Sequence, residues 1–282
     1  IRILGDPFYG DRLEQVTYNA YPATCTPDMW AHQYDQQVNQ VLATVARREW
    51  TNNGNESNIY GLEPNFGCCT ANMHQAWPKF VKSLFMATTD GGLAAIAYGP
   101  CKVSTSVGSD VPVTITESTE YPFDGRIVFD IELQSSCEFP LQLRIPEWAT
   151  HATLTINGSA QRIEHAGSFF TVNRLWQSGD RLELHLPMEV RVGHGHEGLV
   201  SVYRGPLLFG LRIDEEWKQV KGELPHADWE VHPKSAWNYG LSLSSGQIDQ
   251  AFEVENKPLP DVPFSVAGAP VELRVNARKL PQ

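Results

Sequence analysis

The chain has 282 residues, 41% hydrophobic and 20% charged, with 22 Lys+Arg against 33 Asp+Glu and a formal net charge of −11. That composition describes an ordinary globular chain of about two domains and excludes wholesale disorder. The acidic balance argues against nucleic acid as a partner, and no apolar run approaches the roughly 18 residues that cross a bilayer.

Taken in chain order, the residues from Asp11 to Ala20 carry Leu13, Val16 and Tyr18 among polar neighbours, which predicts a helix that Pro22 and Pro27 stop. The segment from Met29 to Val45 has few charges and much Gln and Asn and fits either a helix or an extended strand. Residues 51–64 (TNNGNESNIYGLEP) read as a polar, turn-rich loop. From about Thr70 to Ala87, Met73, Ala76, Trp77, Phe80, Val81, Leu84 and Phe85 recur at helical spacing. Pro78 is expected to kink that helix, and Asp90-Gly91-Gly92 ends the segment.

After Gly92 the period changes to two. LAAIAYGP, VPVTITES, GRIVFDIEL, FPLQLRIP, ATLTING, SFFTVNRLW, DRLELHLP and LVSVYRGPLLFGLRI read as short strands between turns, which predicts a β-sandwich. Residues 215–246 look irregular, and strands resume at Phe252–Val254 and Val271–Val275.

The five cysteines are odd in number and scattered except for Cys68 and Cys69, so this is not a disulfide scaffold. The adjacent pair follows Gly67 and precedes the amphipathic segment. There, free backbone N–H groups and the helix dipole favour thiolate, a nucleophile and a soft metal ligand. The other reading of two adjacent cysteines is a pair of small core hydrophobes. No CxxC or HxxxH partner exists, so spacing alone leaves both open. His74, the pair His194 and His196, and several tryptophans, Trp229 and Trp237 foremost, are further candidates for metal or sugar contact, each with an ordinary structural reading beside it. Cys25, Cys101 and Cys137 have no partner pattern.

The segment YGLEPNFGCCTANMHQAWPKFVKSLFM resembles the Cys-Cys segment of the β-L-arabinofuranosidase family, glycoside hydrolase family 127 and its relatives. DRLEQVTYNA, PLQLRIPEWAT, GSFFTVNRLWQSGDRLELHLPMEVRV, VYRGPLLFGL and VELRVNARKLP extend the likeness in family order over the whole chain. The resemblance implies a mainly β chain with an α remnant. Residues 1–90 would be the last part of an (α/α)6 catalytic barrel, and 91–197 and 198–282 two β-sandwich domains. It implies that Cys68 is the catalytic nucleophile of a retaining glycosidase, that Cys68 and Cys69 bind Zn2+, and that Glu14 and Tyr34 contact the sugar. The family's Glu-x-Cys zinc element and its acid/base glutamate do not occur before Cys68, so the expectation is a fragment whose zinc site is completed upstream of Ile1. The absence of an initial Met and of any leader segment fits that expectation and leaves the compartment open. A carbohydrate substrate is the partner implied, together with self-association through exposed barrel faces. The competing reading is a non-catalytic carbohydrate-binding or accessory β-sandwich.

Overall fold

A computed structural model of the chain describes residues 1–38, 40–62, 67–243 and 248–281. Among these the architecture is mainly β: short strands dominate, and the four α-helices run at most eight residues. The chain divides into two compact units. Unit 1 comprises Ile1–Thr17, Trp77–Glu189 and Gly205–Leu207, and unit 2 comprises Tyr18–Ala76, Val190–Arg204 and Leu208–Gln282. The units therefore interleave in sequence.

Unit 1 is built on two sheets. The first orders its strands Ser159–Gln161, Thr153–Ile156, Arg181–His185, Arg126–Leu133, Val111–Thr119 and Cys101–Val107. The second runs Ser168–Trp176, Cys137–Ile145, Leu93–Ala95 and Phe85–Ala87, with one parallel pairing, between Leu93–Ala95 and Cys137–Ile145. Strand alternation sends Ile115, Ile127, Phe129, Ile131, Leu182 and Leu184 inward from the first sheet, and Phe139, Leu141, Leu143 and Ile145 inward from the second. The Phe85 and Phe129 rings meet edge to face across this core, centroids 6.3 Å apart. Each buried Leu or Ile contributes about 1.5–3 kcal/mol, so this face-to-face apolar layer is what holds the unit together. Asn157 (φ 50°) and Gly158 (φ 79°) make the tight turn between Thr153–Ile156 and Ser159–Gln161. A two-residue hairpin turn of this type I′ form needs left-handed backbone at both positions, which Asn-Gly adopts readily.

Unit 2 holds a four-stranded sheet, His32–Gln33, Tyr60–Gly61, Asp228–Pro233 and Glu215–Lys221, in that order. Three further antiparallel pairings belong to it: Val190–His194 with Val200–Arg204, Tyr239–Leu241 with Ala277–Lys279, and Phe252–Asn256 with Val271–Val275. The stretch from residue 215 onward, expected to be irregular, thus contains three strands; Ser244 to Gly246 lie outside the described residues.

Two helix expectations change. The first helix starts earlier, at Phe8, and passes through a π-helical turn at Val16–Ala20 into Tyr21–Thr24. Pro22 does not stop it, because it sits in the first turn of that last segment, where its missing N–H is not needed. The expected helix from Thr70 to Ala87 is two helices, Gly67–Met73 and Ala76–Lys82, broken at His74 and Gln75. Pro78 falls in the first turn of the second helix, where it fits without a kink. Phe85–Ala87 is a strand paired with Leu93–Ala95, so the helical period of the apolar residues outlasts the helix.

Candidate functional site

Gly67–Met73 carries Cys68 and Cys69 at its start, in unit 2. Three contacts fix this short helix. The Tyr21 hydroxyl donates to the carbonyl of Met73 at 2.6 Å, satisfying an acceptor that a helix end leaves open. Asn72 Nδ2 donates to the Cys68 carbonyl at 2.7 Å, and the Cys25 thiol lies 4.0 Å from the Met73 sulfur. Cys68 is exposed, Cys69 half-buried, and their sulfurs stand 3.7 Å apart. They are free thiols, not a disulfide and not core residues, which removes the reading as small buried hydrophobes.

Tyr34 joins them. It follows the strand His32–Gln33, which pairs with Tyr60–Gly61, and its neighbour Asp35 is tied down on all sides. Thr51 and Asn53 donate to the Asp35 carboxylate, Asn58 Nδ2 to its carbonyl, and its own N–H donates to Ser57. The polar loop read from the sequence therefore works as a clamp on the Tyr34 backbone. The Tyr34 hydroxyl and the Cys69 thiol are hydrogen-bonded, which raises the phenol above its ordinary range. Burial and the neighbouring Cys68 push the Cys69 thiol up, and the bond from Tyr34 opposes that rise.

Two sulfurs at about 2.3 Å from one tetrahedral zinc stand about 3.8 Å apart. The pair fits such an ion as two of its four ligands. Among the described residues no group of three or more His, Cys, Asp or Glu is placed to hold a metal ion, so these residues offer half of a donor set. His74 is exposed in the turn between the two helices, and His194 and His196 lie exposed at a strand end and the turn after it. Trp176 is fully buried in unit 1, with its N–H on the Phe139 carbonyl at 2.9 Å, and Trp229 and Trp237 are half-buried.

Glu14 has a different setting. It belongs to unit 1 and is 0% exposed, neither a solvated helix-face residue nor a group presented to a ligand there. Its Oε1 accepts the Tyr98 N–H at 3.0 Å; its Oε2 accepts the Tyr121 hydroxyl at 2.5 Å and lies 2.6 Å from Arg144 Nη2. The structure therefore brings together Cys68, Cys69 and Tyr34, and places Glu14 in a core ion-pair network. Sequence reading missed that network. Its one signal was Arg144, a charge in FPLQLRIP on a strand whose neighbours Leu143 and Ile145 are buried.

Residues 92–188 match the family model described as beta-L-arabinofuranosidase, GH127 middle domain. The span covers most of the two sheets of unit 1, leaving out the strand Phe85–Ala87, and none of Glu14, Tyr34, Cys68 or Cys69. Among solved structures the chain is similar to one titled glycoside hydrolase, with a TM-score of 0.62 and 19% identity over 82% of this chain and 46% of that one. It is equally similar to Ara127N-Se, a GH127 beta-L-arabinofuranosidase from Geobacillus stearothermophilus T6, with a TM-score of 0.62 and 19% identity over 82% of this chain and 44% of the other. The GH127 beta-arabinofuranosidase BT3674 gives a TM-score of 0.59 and 18% identity, over 97% of this chain and 42% of its own. The chain thus spans less than half the length of each. No curated protein sequence matches it.

Proposed function

We propose, for a chain whose residues 92–188 belong to the GH127 middle-domain family, that it is part of a glycoside hydrolase for L-arabinofuranose-type residues of plant-type glycans and supplies its nucleophile. The observation that carries this reading is the pair of free thiols, one exposed, 3.7 Å apart at a helix start with the Tyr34 hydroxyl on one of them. The segments before residue 90 are then the closing part of an (α/α)6 barrel, and the remaining barrel helices belong to sequence upstream.

In this mechanism the Cys68 thiolate attacks the anomeric carbon. A carbon–sulfur bond forms as the bond to the leaving oxygen breaks, and that oxygen takes a proton from the upstream carboxylic acid. Water, giving its proton back to the same group, then attacks the anomeric carbon. The carbon–sulfur bond breaks, Cys68 leaves as thiolate, and two inversions give net retention. Cys68 and Cys69 would hold zinc with ligands from outside this chain, and the ion supplies the positive charge that keeps a thiol deprotonated near neutral pH. Tyr34 orients Cys69 through its hydroxyl and offers that oxygen to a sugar hydroxyl. Glu14, shut in the unit 1 core, is assigned a scaffolding role instead of its expected sugar contact.

The test is hydrolysis of an aryl β-L-arabinofuranoside by the complete protein and by Cys68→Ala. The variant should fold and lose activity by on the order of 10³-fold or more. An intact rate overturns the mechanism. Oligosaccharide binding by this chain that survives replacement of both cysteines, with no hydrolysis by the complete protein, would favour the accessory-module reading.

A further inference from the structure

Unit 2 has a concavity of about 260 Å³ lined by Gln37, Gln40, Val41, Leu42, Arg48 and Trp50. Gln37, Gln40, Val41 and Leu42 also line a concavity of about 250 Å³ that presents Gln33, Gln36, Tyr60, His232 and the carboxylate of Glu215. The first concavity, which Glu215 does not line, takes its polar lining from Gln37, Gln40 and Arg48.

Arg48 is the unusual member. Its Nη2 donates to Thr44 Oγ1 at 2.7 Å and to the Thr44 carbonyl at 3.3 Å, and its Nε is buried with no acceptor and closed to solvent, so the edge left for a ligand is Nη1. Among the described residues no carboxylate pairs with it, on a chain whose net charge is −11. Buried guanidinium nitrogens normally find an acceptor. Beside this cation Trp50 leaves 40% of its surface exposed, a flat apolar face on the same cavity. The Gln37 side chain is exposed and Gln40 half-buried.

An aromatic face suits the C–H face of a pyranose, amides suit its hydroxyls, and a guanidinium N–H suits a carboxylate. We propose that this cleft is a subsite for an acidic sugar, a uronic-acid residue of a glycan, with its carboxylate on Arg48 and its ring on Trp50. The proposal deepens the carbohydrate reading above and rests on it for the sugar. The cation alone would take any small anion, so the test separates the two.

The experiment is a ligand-observed NMR titration of the 282-residue chain with methyl β-D-glucuronide and methyl β-D-glucoside, which differ only in carboxylate against hydroxymethyl. Saturable binding is expected, with the glucuronide tighter by about tenfold, the size of one charge-assisted hydrogen bond. Arg48→Gln should abolish that preference, and Trp50→Ala, at a half-exposed position, should weaken both ligands. Equal affinities, no saturable binding, a preference that survives Arg48→Gln, or acetate or inorganic phosphate binding as tightly as the glucuronide would overturn it. Cys68→Ala should leave the titration unchanged, so failure of the hydrolase reading shows in hydrolysis and failure of the subsite shows only in binding.

Discussion

Arg144 Nη2 lies 2.6 Å from Glu14 Oε2, and neither side chain has more than 1% of its surface exposed. The contact is an ion pair, its angle too poor for a hydrogen bond. Arg144 also reaches Asp11 and the Ile96 carbonyl, and the Tyr98 hydroxyl donates to the Arg144 carbonyl. Burial disfavours the charged guanidinium, and the carboxylates of Glu14 and Asp11 more than offset this, so it stays charged. The helix comes close enough for this only because residue 10 is glycine: a Cβ there would collide with the Arg144 side chain. Removing Glu14 leaves a buried cation short of its main partner. Glu14→Ala is therefore expected to destabilise the chain by about 3–5 kcal/mol in urea unfolding, and Gly10→Ala to destabilise it by forcing the guanidinium aside. A loss under about 1 kcal/mol for Glu14→Ala would refute the scaffolding role.

Glu117 is 2% exposed, and among the described residues no cation pairs with it. The Gly99 N–H donates to its Oε1 at 2.9 Å and the Cys101 thiol lies 3.8 Å from its Oε2. Burial pushes its carboxyl well above its ordinary value of 4.5, the nearby Glu14 adds to the rise, and the Gly99 N–H only partly opposes it. The folded chain thus keeps a proton that the unfolded chain releases above about pH 4.5. Its favourable contribution is complete below that value and is lost as pH rises toward the folded-state value. Glu117→Gln, which keeps the size and removes the titration, is expected to flatten the fall in stability as pH rises above about 4.5. Denaturant midpoints measured across that range check this, and a variant curve parallel to the native one would count against it.

What was legible in the sequence follows from where each signal originates. Leu182, Leu184 and Leu186 alternate because one face of their strand is buried, and that local pattern needs no partner to be read. Cys101–Val107 escaped notice because it is the edge of its sheet and exposes both faces, so KVSTSV shows no alternation. Glu215–Lys221, also an edge, and Asp228–Pro233, half-exposed along its whole length, likewise show no clean alternation. The thiol pair was legible from its position, whereas Tyr34 reached the site only by resemblance. The burial of Glu14 was not legible, because its partner Arg144 lies far along the chain, and a carboxylate on a helix carries no mark of a distant cation.

A second polar device closes one end of the first sheet of unit 1. Asp180, 7% exposed, accepts Asn157 Nδ2 at 2.7 Å and the Gln177 N–H at 2.9 Å. Asn157 Oδ1 in turn accepts the Arg181 N–H at 2.9 Å, while the Asn157 N–H donates to the Arg181 carbonyl. The two side chains lock the Asn-Gly hairpin onto the start of the neighbouring strand. Asp180→Ala leaves a buried amide and an N–H unmet, and is expected to cost about 1–3 kcal/mol. Asn157→Ala should cost at least as much, since alanine resists the positive φ as well. Because the pair acts as one clamp, the double variant should lose less than the sum of the single losses in thermal unfolding. Strict additivity would mean that the two side chains act separately.

The five thiols differ enough in setting to be ranked by reactivity. Cys68 is exposed at a helix start, whereas Cys137 is buried against the Val107 carbonyl. Burial and the adjacent Glu117 push the Cys101 thiol up to about 12, which leaves it almost no thiolate near neutral pH. Burial raises Cys25 and Cys69 as well. Alkylation of the folded chain by iodoacetamide, read by peptide mass spectrometry, should therefore mark Cys68 first and leave Cys101 and Cys137 unmodified until denaturant is added. Zinc at equimolar concentration should slow labelling of Cys68 and Cys69 and leave Cys25 as it was, since only the vicinal sulfurs have the spacing of two ligands on one ion. Uniform labelling of all five would mean that the thiol pair is not the accessible site from which the proposed chemistry starts. Labelling confined to Cys68 and Cys69 without zinc protection would leave the nucleophile in place and remove the support for a metal on the pair.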